Sequence, residues 1–126
     1  MHEMGIALEI LRICRESVPT SGRIERVVVA VGELSAVEPE LLVTAWEAAV
    51  AGEPEDGAVL EIDWHPARQT CAQCGEVKDR VAGSWLRLCP HCNMPLGIEG
   101  GDELDVLRVQ YVENSDGEVE DGRQTG

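Results

Sequence analysis

Two cysteine pairs constrain this chain more than any other feature of its sequence. They follow the spacing Cys71-x2-Cys74-x14-Cys89-x2-Cys92. Two residues between paired cysteines allow both thiolates of one turn to face a single ion, and two such turns complete a tetrahedron of four sulfurs. The spacing therefore predicts a closed metal site, and a closed site of four thiolates suits a structural Zn²⁺ ion.

Residues that tolerate an unusual backbone follow each pair. Gly75 comes directly after the first pair, and Asn93 comes directly after the second. Both residue types adopt the left-handed conformation more readily than others do, which permits a tight turn behind the metal.

His91 lies inside the second turn, but four thiolates already fill a tetrahedron. The sequence thus favours a solvent-exposed His91 over a substitute ligand or a ligand of a second metal.

The cysteine spacing alone leaves two chemical alternatives open. Iron bound by the same four thiolates would make a rubredoxin-like electron carrier, because tetrahedral sulfur admits both metals. Two disulfides are the other alternative. The start, Met1-His2-Glu3-Met4-Gly5, lacks the cationic region of a secretory signal, so we expect a cytoplasmic protein. In that reducing compartment, paired cysteines favour metal over disulfides.

Composition argues against several classes of function. The 126 residues include 24 acidic and 10 basic side chains, a formal net charge of −14, which gives little basis for binding a polyanionic nucleic acid. No stretch approaches the roughly 20 apolar residues that cross a bilayer. We find no open metal position and no evident set of nucleophile, base and orienting group, so we expect no enzymatic activity.

Hydrophobic patterns predict an α/β body that the cysteine region interrupts. The order is helix, strand, helix, strand, cysteine region and strand, over about 4–16, 23–31, 39–51, 58–65, 67–97 and 103–112. The strand at 23–31 carries a nearly continuous apolar run, so we expect it at the centre of a sheet or covered on both faces. The last strand must rejoin the sheet to bury its apolar residues, which makes the cysteine region an insertion. Residues 113–126 are polar without periodicity, and we expect a disordered acidic tail.

The amino terminus is a second candidate metal site. The α-amine of Met1, the backbone nitrogen of His2 and the His2 imidazole form adjoining five- and six-membered chelate rings, with the Glu3 backbone nitrogen close by. Strong nitrogen donors of this kind favour square-planar Ni²⁺ or Cu²⁺. These residues alone do not distinguish such a site from a frayed, exposed terminus in which Glu3 favours the positive end of a helix.

Taken together, these segments resemble the HypA/HybF family of hydrogenase maturation factors, which are nickel metallochaperones. The resemblance runs from residue 1 to about 112 with its elements in order. Its matching pieces are Met1-His2-Glu3, the stretch GELSAVEPEL at 32–41, the stretch LEID at 60–63, and the four cysteines with their CPHC turn at 89–92. Asn93 stands where members usually carry glycine, and it can adopt the same backbone.

The resemblance implies a fold and two metals. The implied fold is a small two-layer α/β domain, with two helices on a three-stranded mixed sheet, formed by residues 1–66 and 98–112. A zinc-ribbon-like domain is inserted at 67–97. The implied nickel site uses His2 with neighbouring backbone nitrogens, and the implied zinc site uses Cys71, Cys74, Cys89 and Cys92.

The resemblance also implies a function. Members of this family deliver Ni²⁺ to the large subunit of [NiFe]-hydrogenase, act with a HypB-like GTPase, and serve urease maturation in some organisms. Two alternatives come from the residues alone: a zinc-ribbon protein-interaction module without nickel transfer, and the rubredoxin-like iron carrier. The sequence assigns no role to Cys14 or His65.

Overall fold

The computed structural model of the protein describes residues 2–78, 80–81, 83–113 and 119–123, the last range by its backbone only. Its elements follow the predicted order, with additional short strands around the cysteines. They are α1 (His2–Ser17), β1 (Gly22–Gly32), a 3₁₀ turn (Glu33–Ser35), α2 (Pro39–Val50), β2 (Val59–His65), β3 (Arg68–Cys71), β4 (Gly75–Glu76), β5 (Leu96–Glu99), β6 (Leu104–Glu113) and β7 (Val119–Arg123).

The two helices pack together on one apolar core. Helix α1 buries Ala7, Ile10, Leu11 and Cys14 at helical spacing. Helix α2 begins with Pro39, whose fixed φ suits a first helical position, and buries Trp46 completely. The Trp46 indole Nε1 donates to the carbonyl oxygen of Ala58 at 2.9 Å, which ties α2 to the segment before β2. The indole is therefore buried without an unsatisfied polar atom.

An ion pair fastens the end of α1 to the loop after α2. The Arg15 guanidinium donates from Nε to Glu55 Oε2 at 2.9 Å and from Nη2 to Glu55 Oε1 at 2.8 Å. Glu55 is only 8% exposed, and the hydrogen bonds from Arg15 lower the pKa of its carboxyl. A two-point contact of this kind fixes the orientation of both side chains.

The large sheet is mixed, as predicted. Its strand order is β2-β1-β6-β7, with β2 parallel to β1 and β6 antiparallel to it. Strand β1 is central, and the run from Val27 to Val31 is buried throughout. The predicted two helices and three strands are therefore confirmed.

The cysteine region forms a second, smaller sheet of order β4-β3-β5. We call residues 68–99 the insert, and we call the two segments that connect it to the body, 65–67 and 100–103, the neck. Strand β5 ends at Glu99, two residues beyond the predicted boundary at 97. The division into a body, 1–66 with 98–112, and an insertion, 67–97, stays a prediction.

The tail departs from the prediction of disorder at 113–126. Residues 119–123 form β7, which pairs antiparallel with β6 from Val112↔Val119 to Arg108↔Arg123. Without β7, the backbone groups at the outer edge of β6 would lack strand partners, and a polar segment can pair with them through its own backbone without an apolar pattern. Residues 114–118 and 124–126 lie outside the described residues.

Candidate metal centres

The two cysteine turns are built on the insert's short strands. Cys71 ends β3, and Gly75, with φ of 85°, begins β4 directly after Cys74. In the second turn, the Asn93 amide donates to the Cys89 carbonyl at 2.9 Å, and the Cys89 amide donates to the Met94 carbonyl at 2.8 Å. Asn93 has φ of 63°. The left-handed conformation expected of both residues is confirmed.

The fold brings all four paired cysteines together. Their Sγ atoms lie within 4.8 Å of one another, and those of Cys71 and Cys92 are 3.4 Å apart. Four sulfurs at about 2.3 Å from one tetrahedral ion would be about 3.8 Å apart, whereas bonded sulfurs are about 2.05 Å apart. The donor set therefore fits a Zn²⁺-like ion and does not correspond to two disulfides.

The electrostatics of the thiols also suit a cation. Backbone amides, first that of Cys74 and then that of Gln73, lower the pKa of the Cys71 thiol to about 6. Hydrogen bonds with the thiols of Cys92 and Cys89 raise the pKa of Cys74 to about 12. A bound divalent ion would displace the thiol protons and cross-link both turns.

Gln69 supports the cysteine cluster through hydrogen bonds to the backbone. No pattern in the sequence indicated this role. Its side chain is 4% exposed, donates to the Leu86 carbonyl at 2.9 Å and accepts from the Leu86 amide at 2.9 Å. This double contact mimics a strand pairing between β3 and the segment that leads to Cys89. The contact therefore holds the second cysteine turn against the first.

Glu33 anchors the insert to the body. Its carboxylate accepts from the Ala67 amide at 3.0 Å, from the Gly83 amide at 3.2 Å and from Arg80 at 2.9 and 3.2 Å. The Arg80 guanidinium is the largest cause of a lowered pKa for the Glu33 carboxyl. Arg80 also lies over the ring of Trp85, 4.3 Å from its centroid. No local sequence pattern indicates this contact, because its partners are distant along the chain.

The amino-terminal candidate stands apart from the cysteine cluster. His2 begins the described part of α1 and is 56% exposed, with its Nε2 atom 3.8 Å from Glu3 Oε2. The first backbone N–H groups of a helix have no intrahelical acceptor, which leaves them available to other partners. The Glu3 carboxylate accepts its own backbone N–H and that of Glu38, and both lower its pKa. Met1, the predicted amine donor, lies outside the described residues.

The remaining cysteine and the second-turn histidine lie outside the four-sulfur cluster. Cys14 is fully buried in the core, where burial, followed by the Glu55 carboxylate, raises the pKa of its thiol to about 12. His91 is exposed, as expected. Among the described residues, the four paired cysteines are the one group of three or more candidate ligands that lie close enough to share an ion. No described helix is both long enough and apolar enough to span a bilayer.

Comparison with known proteins gives one consistent result. The profile of the family described as hydrogenase/urease nickel incorporation, metallochaperone, hypA, matches residues 1–111. The hydrogenase maturation factor HypA of Geobacter sulfurreducens is 36% identical over 111 residues, which cover 87% of this chain and 98% of that protein. HypA of Chlorobium limicola is 35% identical over 122 residues, which cover 92% of this chain and 100% of that protein.

A solved structure is similar over the same region. The solution structure of the Ni metallochaperone HypA from Helicobacter pylori has 28% sequence identity and a TM-score of 0.54, and it covers 86% of this chain and 96% of that one. The similarity therefore spans most of the chain and nearly the full length of that relative.

Proposed function

The chain belongs to the HypA family of hydrogenase/urease nickel-incorporation metallochaperones, and from this premise we propose that it delivers Ni²⁺ to the large subunit of a [NiFe]-hydrogenase during that enzyme's maturation. The observation that carries the proposal is the separation of two candidate sites with opposite properties. One is a closed cluster of four thiols in the insert, and the other is an exposed histidine at the amino terminus.

The closed site is assigned a structural Zn²⁺ ion, held by Cys71, Cys74, Cys89 and Cys92. Four sulfurs within 4.8 Å of one another leave no coordination position for a substrate. The zinc would cross-link the two turns and keep the shape of the insert. In this role it stays with the protein while nickel passes through.

The exposed site is assigned the transported Ni²⁺ ion. Its donors are the Met1 amine, the His2 imidazole and the backbone nitrogens of His2 and Glu3, a set that favours square-planar nickel. Transfer needs a site that binds the ion and then gives it up to an acceptor. An exposed His2 at the first turn of α1 meets this need better than a buried cage.

The proposed partners are a HypB-like GTPase and the hydrogenase large subunit, with urease as a further recipient of nickel. The net charge of −14 favours basic surfaces on these partners, because charge complementarity accelerates association. We place this activity in the cytoplasm, where four unbridged thiols stay reduced.

Genetic complementation in the source organism tests the proposal. In a strain that lacks the chromosomal gene, the wild-type chain should restore hydrogenase activity at low nickel, and His2→Ala should not. His91→Ala, which changes an exposed histidine outside the cysteine cluster, is the matched control and should restore activity. Urease activity measured in the same strains shows whether that enzyme is also served. Equal hydrogenase activity with the wild-type and His2→Ala proteins, at equal protein levels, would contradict the proposal.

A further inference from the structure

The neck of the insert brings a histidine and a glutamate together from distant parts of the sequence. His65 ends β2, where the chain leaves the body, and Glu103 precedes β6, where the chain returns. The Nδ1 atom of His65 lies 3.7 Å from Oε2 of Glu103. The contact therefore lies at the base of the insert, on neither of the two sites already described.

Gly32 holds these two residues in place. It is the register partner of His65 in the parallel pairing of β1 with β2. On its other side, the Gly32 amide donates to the Glu103 carbonyl at 2.7 Å. A Cβ atom at this position would lie 2.1 Å from the Gly101 carbonyl oxygen, so the backbones approach more closely than any larger residue allows. The backbone segments that carry the His65 and Glu103 side chains therefore have little freedom to move apart.

The imidazole is oriented from its other nitrogen. The Nε2 atom of His65 is 3.2 Å from Asp63 Oδ2, a carboxylate two residues earlier on the same face of β2. A hydrogen on Nε2 can donate to that acceptor. In this tautomer Nδ1 carries a lone pair that faces Glu103. The Nδ1 lone pair and the Glu103 carboxylate are then two acceptors that face each other, and a positive charge between them would stabilise both.

The second carboxylate oxygen of Glu103 would also be stabilised by a nearby positive charge. Its Oε1 atom is buried, and no hydrogen-bond partner reaches it from the described residues. A buried carboxylate oxygen without a partner is costly. Asp105 adds charge nearby, since Asp105 and Asp63 both pair with Ala30, one on each side of β1. These carboxylates would stabilise a cation beside His65.

We propose that His65 Nδ1 and the Glu103 carboxylate bind an exchangeable divalent transition-metal ion, with Asp63 as the residue that orients the imidazole. Two ligands about 2.1 Å from one ion lie roughly 3 to 4 Å apart, which includes the observed 3.7 Å separation. A mixed nitrogen and oxygen pair suits Ni²⁺, Zn²⁺ or Cu²⁺ better than Mg²⁺ or Ca²⁺. A histidine that ligates through one nitrogen and donates to a carboxylate through the other is the usual arrangement in metal sites.

A proton is the competing occupant. An imidazolium between Asp63 and Glu103 would also satisfy the negative charges. However, 3.7 Å exceeds the roughly 3.2 Å limit of an N–H···O hydrogen bond. The separation therefore argues against a direct N–H···O hydrogen bond, whereas it lies within the range of two ligands that share a metal ion.

The small number of histidines makes a direct test practicable. The chain contains three, so long-range ¹H–¹⁵N spectra of its imidazoles contain three side-chain systems. We suggest the zinc-loaded full-length His2→Ala protein, in which His65 and His91 remain. Titration with Ni²⁺ alone at constant pH should then broaden the His65 signals at lower concentration than those of His91. Because the amino-terminal histidine is absent, this result does not depend on the proposed delivery function.

Substitutions then separate metal binding from protonation. Glu103→Gln should raise the Ni²⁺ concentration needed for half-broadening of His65 by more than tenfold, and Asp63→Asn by about tenfold. Glu61→Gln changes a carboxylate on the same face of β2 that is paired with Arg26, and it should leave the titration unchanged. Equal broadening of His65 and His91, or a His65 response that Glu103→Gln does not weaken, would overturn the site and leave an imidazolium pair.

Discussion

The carboxylate of Glu33 and the guanidinium of Arg80 form an ion pair, with N–O distances of 2.9 and 3.2 Å, that joins the α/β body to the insert. Their side chains are 11% and 8% exposed. Five residues further along the chain, the Glu38 amide contacts the carboxylate of Glu3, beside His2. The segment 33–38 therefore contacts the insert at one end and the amino terminus at the other.

A double-mutant cycle should measure the strength of this contact. We expect Glu33→Gln and Arg80→Ala each to destabilise the zinc-loaded protein, with a coupling energy of about 1 to 3 kcal/mol, because both groups are largely removed from water. Arg23 and Glu25 form an ion pair at 3.2 Å in which both side chains are about half exposed, and they serve as the matched control. Their coupling should be below about 0.5 kcal/mol. If urea unfolding gave similar coupling energies for the two pairs, the Glu33–Arg80 contact would be only a surface interaction.

The Arg15–Glu55 pair predicts a pH dependence of the body. Its hydrogen bonds lower the pKa of Glu55 from an ordinary value of 4.5, so the folded state favours the ionised carboxylate. The stabilisation is fully present above the unfolded pKa and is lost as the pH falls through the lower, folded pKa. We expect Glu55→Gln to cost about 1 to 3 kcal/mol at pH 7, and the difference from wild type to shrink below about pH 4.5.

Glu53 provides the control for that experiment. Its carboxylate contacts the same Arg15 at 3.1 Å, but its side chain is 49% exposed. Glu53→Gln should change the free energy of unfolding by less than about 1 kcal/mol at any pH. A Glu55→Gln difference that stays constant from pH 7 to pH 3 would contradict the predicted linkage.

Zinc content should separate the clustered cysteines from the buried one. Cys74→Ser removes one of four sulfurs, and we expect bound zinc to fall from about one ion per chain to a small fraction of that. Cys14→Ala should keep its zinc and lose only about 1 kcal/mol of stability, because Cys14 packs in the core. Metal analysis of both proteins after dialysis checks this, and iron in the wild-type protein would favour the rubredoxin-like alternative. A folded Cys74→Ser protein with undiminished zinc would refute the assignment.

The backbone at Asn93 should determine how well the second turn closes. With φ of 63°, the position suits glycine or asparagine and disfavours residues with an ordinary side chain. We expect Asn93→Gly to retain zinc affinity and Asn93→Ala to lose about 1 to 2 kcal/mol of it, as measured by competition with a chromophoric chelator. If both variants bound zinc equally, the strained turn would have no energetic role.

Local patterns predicted those parts of the protein that depend on neighbours in sequence. The spacing of Cys71 to Cys92 predicted the sulfur cluster, and the apolar run around Val29 predicted the central strand. This kind of local pattern did not indicate Gln69, Arg80 or Glu103, because their partners lie on other segments. It also missed β7, because a strand that joins an edge through backbone hydrogen bonds needs no apolar alternation.

Nickel titration of untagged protein that begins at Met1 tests whether His2 helps to bind the transported ion. A tag would displace the α-amine, so the comparison requires untagged wild-type, His2→Ala and His91→Ala proteins, each loaded with zinc. We expect the wild-type and His91→Ala proteins each to bind one Ni²⁺ ion with the absorption spectrum of a square-planar complex. In His2→Ala, we expect this spectrum to disappear and the Ni²⁺ affinity to fall at least tenfold. All three proteins should retain their zinc. Equal Ni²⁺ affinity and the same spectrum in wild type and His2→Ala would contradict this role of His2.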